Sequence, residues 1–216
     1  MILDKTDLRV KMFNRYFKIV DGNMDFVFAN MAIKNINFAL ISLDYIFNYS
    51  DFDKNIYHDE HSFYFFHIQS LLAACGNISN VFYNKNGSIK TTARCARLRK
   101  TLNVFKKEFP LVFKKEVRNT NEHFDERYEE IGAVGDYNLL DKNTDSFMRS
   151  VIQTNPHLRT YDKDRCIYYT YNSNRQPIEY DLKQLQCELE TLLNRITNNE
   201  LFNSGWEEFI PGETVV

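Results

Sequence analysis

The chain has 216 residues, of which 44% are hydrophobic and 26% charged, with a formal net charge of −2. That length and balance suffice to close a hydrophobic core without disulfide or metal staples, and they exclude a disordered or fibrous chain. Seven Gly and four Pro over the whole length leave few chain breakers, which favours long helices over many short strands.

In chain order, residues 6–20 read as an amphipathic helix, with Leu8, Met12, Phe13, Tyr16, Phe17 and Val20 at helical spacing, before "DGN" (21–23) breaks it. Phe28, Ala32, Ile36, Ala39, Leu43, Ile46 and Phe47 predict a helix over 25–49, followed by the loop "SDFDKN". A third helix is expected over about 59–83, opened by Asp59 and Glu60, whose charges suit the positive end of the helix dipole, and closed by "NKNG" (84–87). A fourth runs from about 91 to 108. Pro110 stands where a first-turn proline starts a fifth, about 110–132, ended by Gly132 and Gly135.

Beyond residue 150 the period changes. "HLRTYD", "RCIYYTYN" and "QPIEYD" are short, aromatic and β-branched, and "NSNRQ" reads as the turn of a hairpin. Asp181 with Gln184 resembles a capping box before a helix whose Leu182, Leu185, Leu189, Leu192, Leu193 and Ile196 form an apolar stripe. The expected fold is therefore mainly α: an antiparallel bundle of four to five helices over 1–149, and over 150–216 a small β-hairpin plus helix packed on it as an appendage.

Cys75, Cys95, Cys166 and Cys187 show no paired spacing, so neither a zinc site nor a disulfide framework is expected, and a reducing cytoplasm is the expected location. "MILDKTDLRV" lacks the apolar run of an export signal. The stretch "SFYFFHIQSLLAACGNISNVF" is interrupted by His67, Gln69 and Asn77 and is too polar for a spanning helix, so no membrane partner is expected. His58, His61 and His67 suggest no metal, because His61 and His67 lie about 240° apart on a helix. "DFDKN" (Asp51, Asp53, Asn55) begins like a calcium loop, yet Ile56 stands where that loop needs glycine and Ser62 where it needs an acid. An aromatic base-stacking platform on "RCIYYTYN" is a minor alternative to a core role for those rings.

Charge is distributed unevenly. Lys90 to Arg118 holds ten Lys or Arg against Glu108 and Glu116, whereas Asn119 to Ser146 holds eight acids against two bases. A basic approach of this kind suits a phosphate-tracking surface, or simply solvated helix faces. It leads into "KKEVRNTNEHFDERYEE" (114–130). With Val117 at 0° on a helix wheel, Phe124, Tyr128, Phe113 and Ile131 fall within about 40° of it and form one apolar stripe, whereas Arg118 at about 100°, Asn119 at about 200° and His123 at about 240° point away. Asn119 and His123 are neighbours four apart. Arg118 is roughly 140° round from the histidine, so two copies of the helix about a twofold axis are needed to bring a guanidinium and an imidazole into one cleft. Those groups suit RNA cleavage without a metal: imidazole moves the 2′-hydroxyl or leaving-group proton, guanidinium holds the phosphorane charge, and Asn119 fixes the imidazole tautomer or binds a phosphate oxygen. A salt-bridged surface, Arg118 with Glu122, is the bland reading of the same residues.

"VRNTNEHFDERYEE" resembles the Arg-Asn-x-x-x-His motif of the HEPN superfamily, and "HIQSLLAACGNIS" has the flavour of the same uncharacterised bacterial subgroup. The resemblance covers roughly residues 25–132, and only the short motif is specific. It implies a four-to-five-helix bundle that dimerises through the motif helix and, in catalytic members, a metal-independent endoribonuclease needing no cofactor, often a toxin or phage-defence protein with an antitoxin partner. On that resemblance Arg118 and His123 are the catalytic residues and Asn119 supports them. Some members are inactive nucleotide- or RNA-binding scaffolds, and Glu122, Glu126, Glu129 and Glu130 crowd the same face. A structural helical protein with a chance motif is the third reading.

Overall fold

A computed structural model of the chain describes residues 24–48, 60–84, 87–122, 129, 142–144, 159–171 and 176–200. The expected helix over 6–20, the calcium-like loop, His58, and the motif residues from His123 onward apart from Glu129 lie outside these.

The described chain is mainly helical, with a small sheet. α1 spans Met24–Asn48, α2 Glu60–Tyr83, α3 Ile89–Thr101, α4 Lys115–Glu122 and α5 Leu182–Thr197, and a 3-10 turn covers Lys106–Glu108. Four short strands, β1 (Lys142–Thr144), β2 (Thr160–Asp162), β3 (Ile167–Tyr171) and β4 (Pro177–Asp181), lie side by side in that order. β1 pairs parallel to β2, whereas β2, β3 and β4 are antiparallel, with Tyr168 facing Tyr161 on one side and Tyr180 on the other.

α1 and α2 run antiparallel, since Asn35 hydrogen-bonds Asn77 at 3.0 Å while Tyr45 stacks on His67. The expected stripe of α1 is the one that packs, with Ala32, Ile36, Ala39, Leu43 and Ile46 buried and Phe28 and Phe47 partly so, and it meets Phe65, Ile68, Leu71, Leu72, Cys75 and Ile78 of α2, which are also buried. α5 buries Leu182, Leu185, Leu189, Leu192 and Ile196 against α1 and the sheet, with Leu193 at the margin. Tyr161, Tyr168, Ile178 and Tyr180 join the same hydrophobic cluster as the helices, so one core runs through both parts of the chain. Tyr168 is wholly buried within the sheet, which withdraws it from any stacking platform.

Two expected helix boundaries are corrected. The basic helix expected to reach 108 ends at Thr101, because Asn103 takes a left-handed φ of 52°. The Val104 N–H then bonds the Arg99 carbonyl at 2.9 Å and the Asn103 N–H the Lys100 carbonyl at 3.4 Å, a Schellman closure with asparagine in the usual glycine place. The bend puts both Leu102 and Val104 into the core, and the end of α5 and the residues after it add donors to the freed carbonyls, Arg195 to Asn103 at 2.8 Å and Asn199 to Thr101 at 3.0 Å. Pro110, in turn, does not start the motif helix. It opens a turn through Phe113, and α4 begins only at Lys115. Phe109, Val112 and Phe113 all reach the interior from this turn.

At the start of α5 the Asp181 carboxylate accepts the Lys183 and Gln184 N–H groups, both at 2.9 Å. The reciprocal arm of a capping box is not made, because the Gln184 side chain donates forward to Glu188 at 3.4 Å. Asp181→Ala is expected to lower unfolding free energy by about 1 kcal/mol in urea titration, and Gln184→Ala by only a few tenths. Equal losses would restore the two-armed cap.

Candidate functional site

The residues after Pro110 are held by side chains from the C-terminal part of the chain. Glu188 of α5 is buried, and one of its carboxylate oxygens accepts the N–H groups of both Leu111 (2.9 Å) and Val112 (3.1 Å). The Tyr180 hydroxyl of β4 donates to the Leu111 carbonyl at 2.9 Å, and Lys114 Nζ donates to the Glu179 carbonyl at 3.1 Å. Two main-chain donors that a helix start would leave orphaned are thus satisfied by a carboxylate 76 residues away from Val112. Burial raises the Glu188 carboxyl above its ordinary range, against the pull of the Val112, Leu111 and Gln184 hydrogen bonds. The clamp links β4 and α5 directly to the segment that aims the motif helix.

From that anchor α4 lays Val117 wholly inside the core, next in the stripe to Phe113. Arg118 follows at the edge, half-buried and not out in water as its wheel position suggests. Its aliphatic stem crosses α2 over Gly76, and its Nη1 donates to the Gly76 carbonyl at 3.5 Å. A Cβ on residue 76 would collide with Arg118 Cδ, so glycine here permits the close approach of the two helices. Asn119 is exposed. Glu122 is the last residue of α4, His123, Glu126 and Glu130 lie outside the described residues, and Glu129 is exposed.

Beneath Arg118 is a cavity of about 10 Å³, lined by Cys75, Ser79, Lys115 and Tyr180 among others. It is the size of a single water and far too small for a phosphate, so an anion held by Arg118 would sit on the outer side of the guanidinium. Cys75 and Tyr180 lie together in the cavity wall, and burial pushes the Cys75 thiol up to about 12.

The basic approach is only partly available to an external partner. Arg94 stacks over the Phe28 ring at 3.6 Å, Arg97 pairs with Asp25 of α1, and Arg99 donates to the Phe82 carbonyl while lying over the Tyr83 ring. Lys115 donates to the Tyr83 carbonyl at 3.2 Å. With Lys114 and Arg118, six of the ten cations from Lys90 to Arg118 are engaged within the chain, and Lys90, Lys100, Lys106 and Lys107 remain exposed.

Away from this region, His67 is buried among Tyr45, Phe63 and Phe66, stacked on Tyr45 at 4.7 Å between ring centroids, and burial lowers its pKa. It is a packing residue. Among the described residues no three His, Cys, Asp or Glu side chains cluster in a way that could hold a metal, and Cys75, Cys95, Cys166 and Cys187 carry free thiols. The span Asp25–Asn48 of α1 is long and apolar enough to cross a membrane by length and composition, although one of its faces is built into the core.

Glu188, Gly76 and Tyr180 were not singled out by sequence reasoning. For Glu188 a signal existed: it falls beside the arc of the α5 leucines on a helix wheel, where a carboxylate is half inside. Compared with known proteins, the chain matches no family model, no curated protein and no solved structure.

Two outcomes test this geometry. Gly76→Ala should destabilise the wild type, because crowding at Arg118 outweighs the gain in helix propensity, and should stabilise an Arg118→Ala background by up to about 1 kcal/mol, where only the propensity remains. The same sign in both backgrounds would mean the two residues do not touch. Glu188→Ala should cost about 2–4 kcal/mol by leaving two buried N–H groups unpaired, and Glu188→Gln clearly less. Since the folded carboxyl titrates above the unfolded one, the stability tied to its protonated form is complete below the unfolded pKa and is lost as pH rises through the folded value. Urea titrations from pH 4 upward should show that decline in the wild type and its absence in Glu188→Gln.

Proposed function

We propose that the protein is a homodimeric HEPN-like endoribonuclease that cleaves single-stranded RNA by transesterification without a metal. The observation that carries this reading is a helix whose Val117 is fixed in the core, with Arg118 at the margin and Asn119 in solvent, in a sequence that continues as the Arg118-Asn119-x-x-x-His123 pattern. A helix so clamped presents its motif side on a rigid support, as a site needing positioned charge requires.

In the proposed reaction, the ribose 2′-oxygen attacks the adjacent phosphorus and the bond to the 5′-oxygen breaks. One His123 takes the 2′-hydroxyl proton, and the His123 of the second copy gives a proton to the departing 5′-oxygen. Arg118 offsets the extra charge on the phosphorane through its outward N–H groups, and Asn119 orients the imidazole or the phosphate. The products are a 2′,3′-cyclic phosphate and a 5′-hydroxyl. A role as toxin or phage-defence factor restrained by an antitoxin, in the cytoplasm, belongs to the same proposal.

A second reading, a non-catalytic HEPN-like dimer that binds RNA or nucleotide or acts as a scaffold, draws support from one observation: Lys114, Lys115 and Arg118 each donate to a main-chain carbonyl of their own chain. Cations used in that way can serve architecture alone.

Incubation of the purified protein with single-stranded RNA in excess EDTA should yield fragments ending in 2′,3′-cyclic phosphate, and Arg118→Ala or His123→Ala should each reduce the rate by at least about 100-fold. Sedimentation should show a dimer for the parent protein. Absence of cleavage, together with dimers that both substitutions weaken, would establish the scaffold reading instead. Cleavage that survives both substitutions would remove the motif from the mechanism.

A further inference from the structure

Phe105 is a large aromatic residue left 45% exposed in a lysine-rich turn. The way α3 closes explains its position. Leu102 and Val104 turn into the core, and Asn103 and Phe105, which alternate with them, are exposed. The backbone at Phe105 is extended (φ −116°, ψ 134°) and is tied on both sides. The Tyr83 hydroxyl of α2 donates to the Val104 carbonyl at 3.4 Å, the Glu108 N–H donates to the Phe105 carbonyl at 3.0 Å, and Phe109 is buried just beyond. An exposed ring thus stands on an anchored stretch of main chain.

Its neighbours in sequence are cations. Lys100, Lys106 and Lys107 are exposed, and none of the three forms an ion pair among the described residues. The acid of the same turn, Glu108, is offset by Arg195 at 2.6 Å. An aromatic face beside unpaired lysines is the combination that holds single strands: the lysines neutralise phosphates, and the ring stacks on a base of any identity.

The turn also stands in line with Arg118. Gly76, which the Arg118 stem crosses, and Tyr83, which ties down the turn, are two helical turns apart on α2, so they share a face and are separated by about 10 Å. Lys115, three residues before Arg118 on α4, reaches the Tyr83 carbonyl at 3.2 Å and so connects the two places.

We propose that Phe105, with Lys100, Lys106 and Lys107, forms a base-stacking subsite for single-stranded RNA, taking a nucleotide about two or three removed from the phosphate at Arg118. The subsite rests on the reading of Arg118 as part of an RNA site. A lipid surface fits less well, because one ring among cations offers little apolar area to insert.

The test is fluorescence anisotropy of the full chain with a labelled 2′-O-methyl oligouridylate of about 12 nucleotides, a length that one binding groove covers and a chemistry without a free 2′-hydroxyl to react. Phe105→Ala should weaken binding roughly 5- to 100-fold without changing Tm, since the side chain is exposed. Phe105→Trp should bind like the parent and show indole emission, above that of the parent's Trp206, which the oligonucleotide quenches. Replacing Lys106 and Lys107 together by Gln should lower the slope of log K against log salt by about 1.4. Duplex RNA, whose bases are already stacked on one another, should not distinguish Phe105→Ala from the parent. Parent-like affinity of Phe105→Ala for the single strand overturns the inference, as does an equal loss on the duplex, or binding to anionic vesicles that needs Phe105 while oligonucleotide binding does not. If the parent binds no oligonucleotide yet cleaves RNA in EDTA through Arg118, the subsite alone falls; if it neither binds nor cleaves, the ribonuclease reading falls with it.

Discussion

A single buried carboxylate decides how the middle of this chain is arranged. Glu188 accepts the N–H groups of Leu111 and Val112, and without it the turn after Pro110 would place two unsatisfied donors against the core. The interaction joins residues far apart in sequence, so it also decides how the β-hairpin and α5 relate to the helices. Tyr180 and Lys114 reinforce the same junction from either side. The carboxy-terminal part of the chain therefore has a structural role that its sequence does not announce: it fixes the origin and direction of α4, and hence where Arg118 and Asn119 stand.

The consequences travel through α4 to α2. With Phe113 and Val117 fixed in the interior, the next residue must pass along the flank of α2, and Gly76 is the place where the backbone is bare enough to let it. The stem of Arg118 is thereby packed across Gly76, with Nη1 turned to the Gly76 carbonyl. The neighbouring cations are less free than their number suggests. Arg94, Arg97 and Arg99 tie α3 to α1 and α2, so any nucleic-acid contact would depend on the exposed lysines and the motif itself.

α1 was legible because its apolar residues recur at threes and fours over about 20 positions, and α2 from the acids that open it and the "NKNG" that closes it: both begin and end within about a residue of expectation. The strands were legible from alternating aromatic runs, and α5 from its leucine stripe and Asp181. What failed was punctuation. Asn103 ends a helix by adopting a conformation for which asparagine is merely tolerant, and Leu102 and Val104 reward the break only through core contacts supplied from elsewhere. Pro110 carries the chemistry of a helix start, but Glu188 satisfies the following N–H groups in another geometry. The parallel addition of β1 to the sheet gave no local signal, since three residues show no period. For the motif, periodicity placed Val117 inside and Asn119 outside, and missed that Arg118 would be drawn onto Gly76, because that depends on the surface of a second helix.

Amide hydrogen exchange at Leu111 and Val112 examines the clamp itself. If Glu188 holds these donors, both amides should exchange only through opening as costly as global unfolding, and Glu188→Ala should accelerate them by at least about 100-fold relative to amides in the middle of α2. Exchange of Leu111 and Val112 in the wild type at the rate of open, solvent-bonded amides would contradict the account at its root.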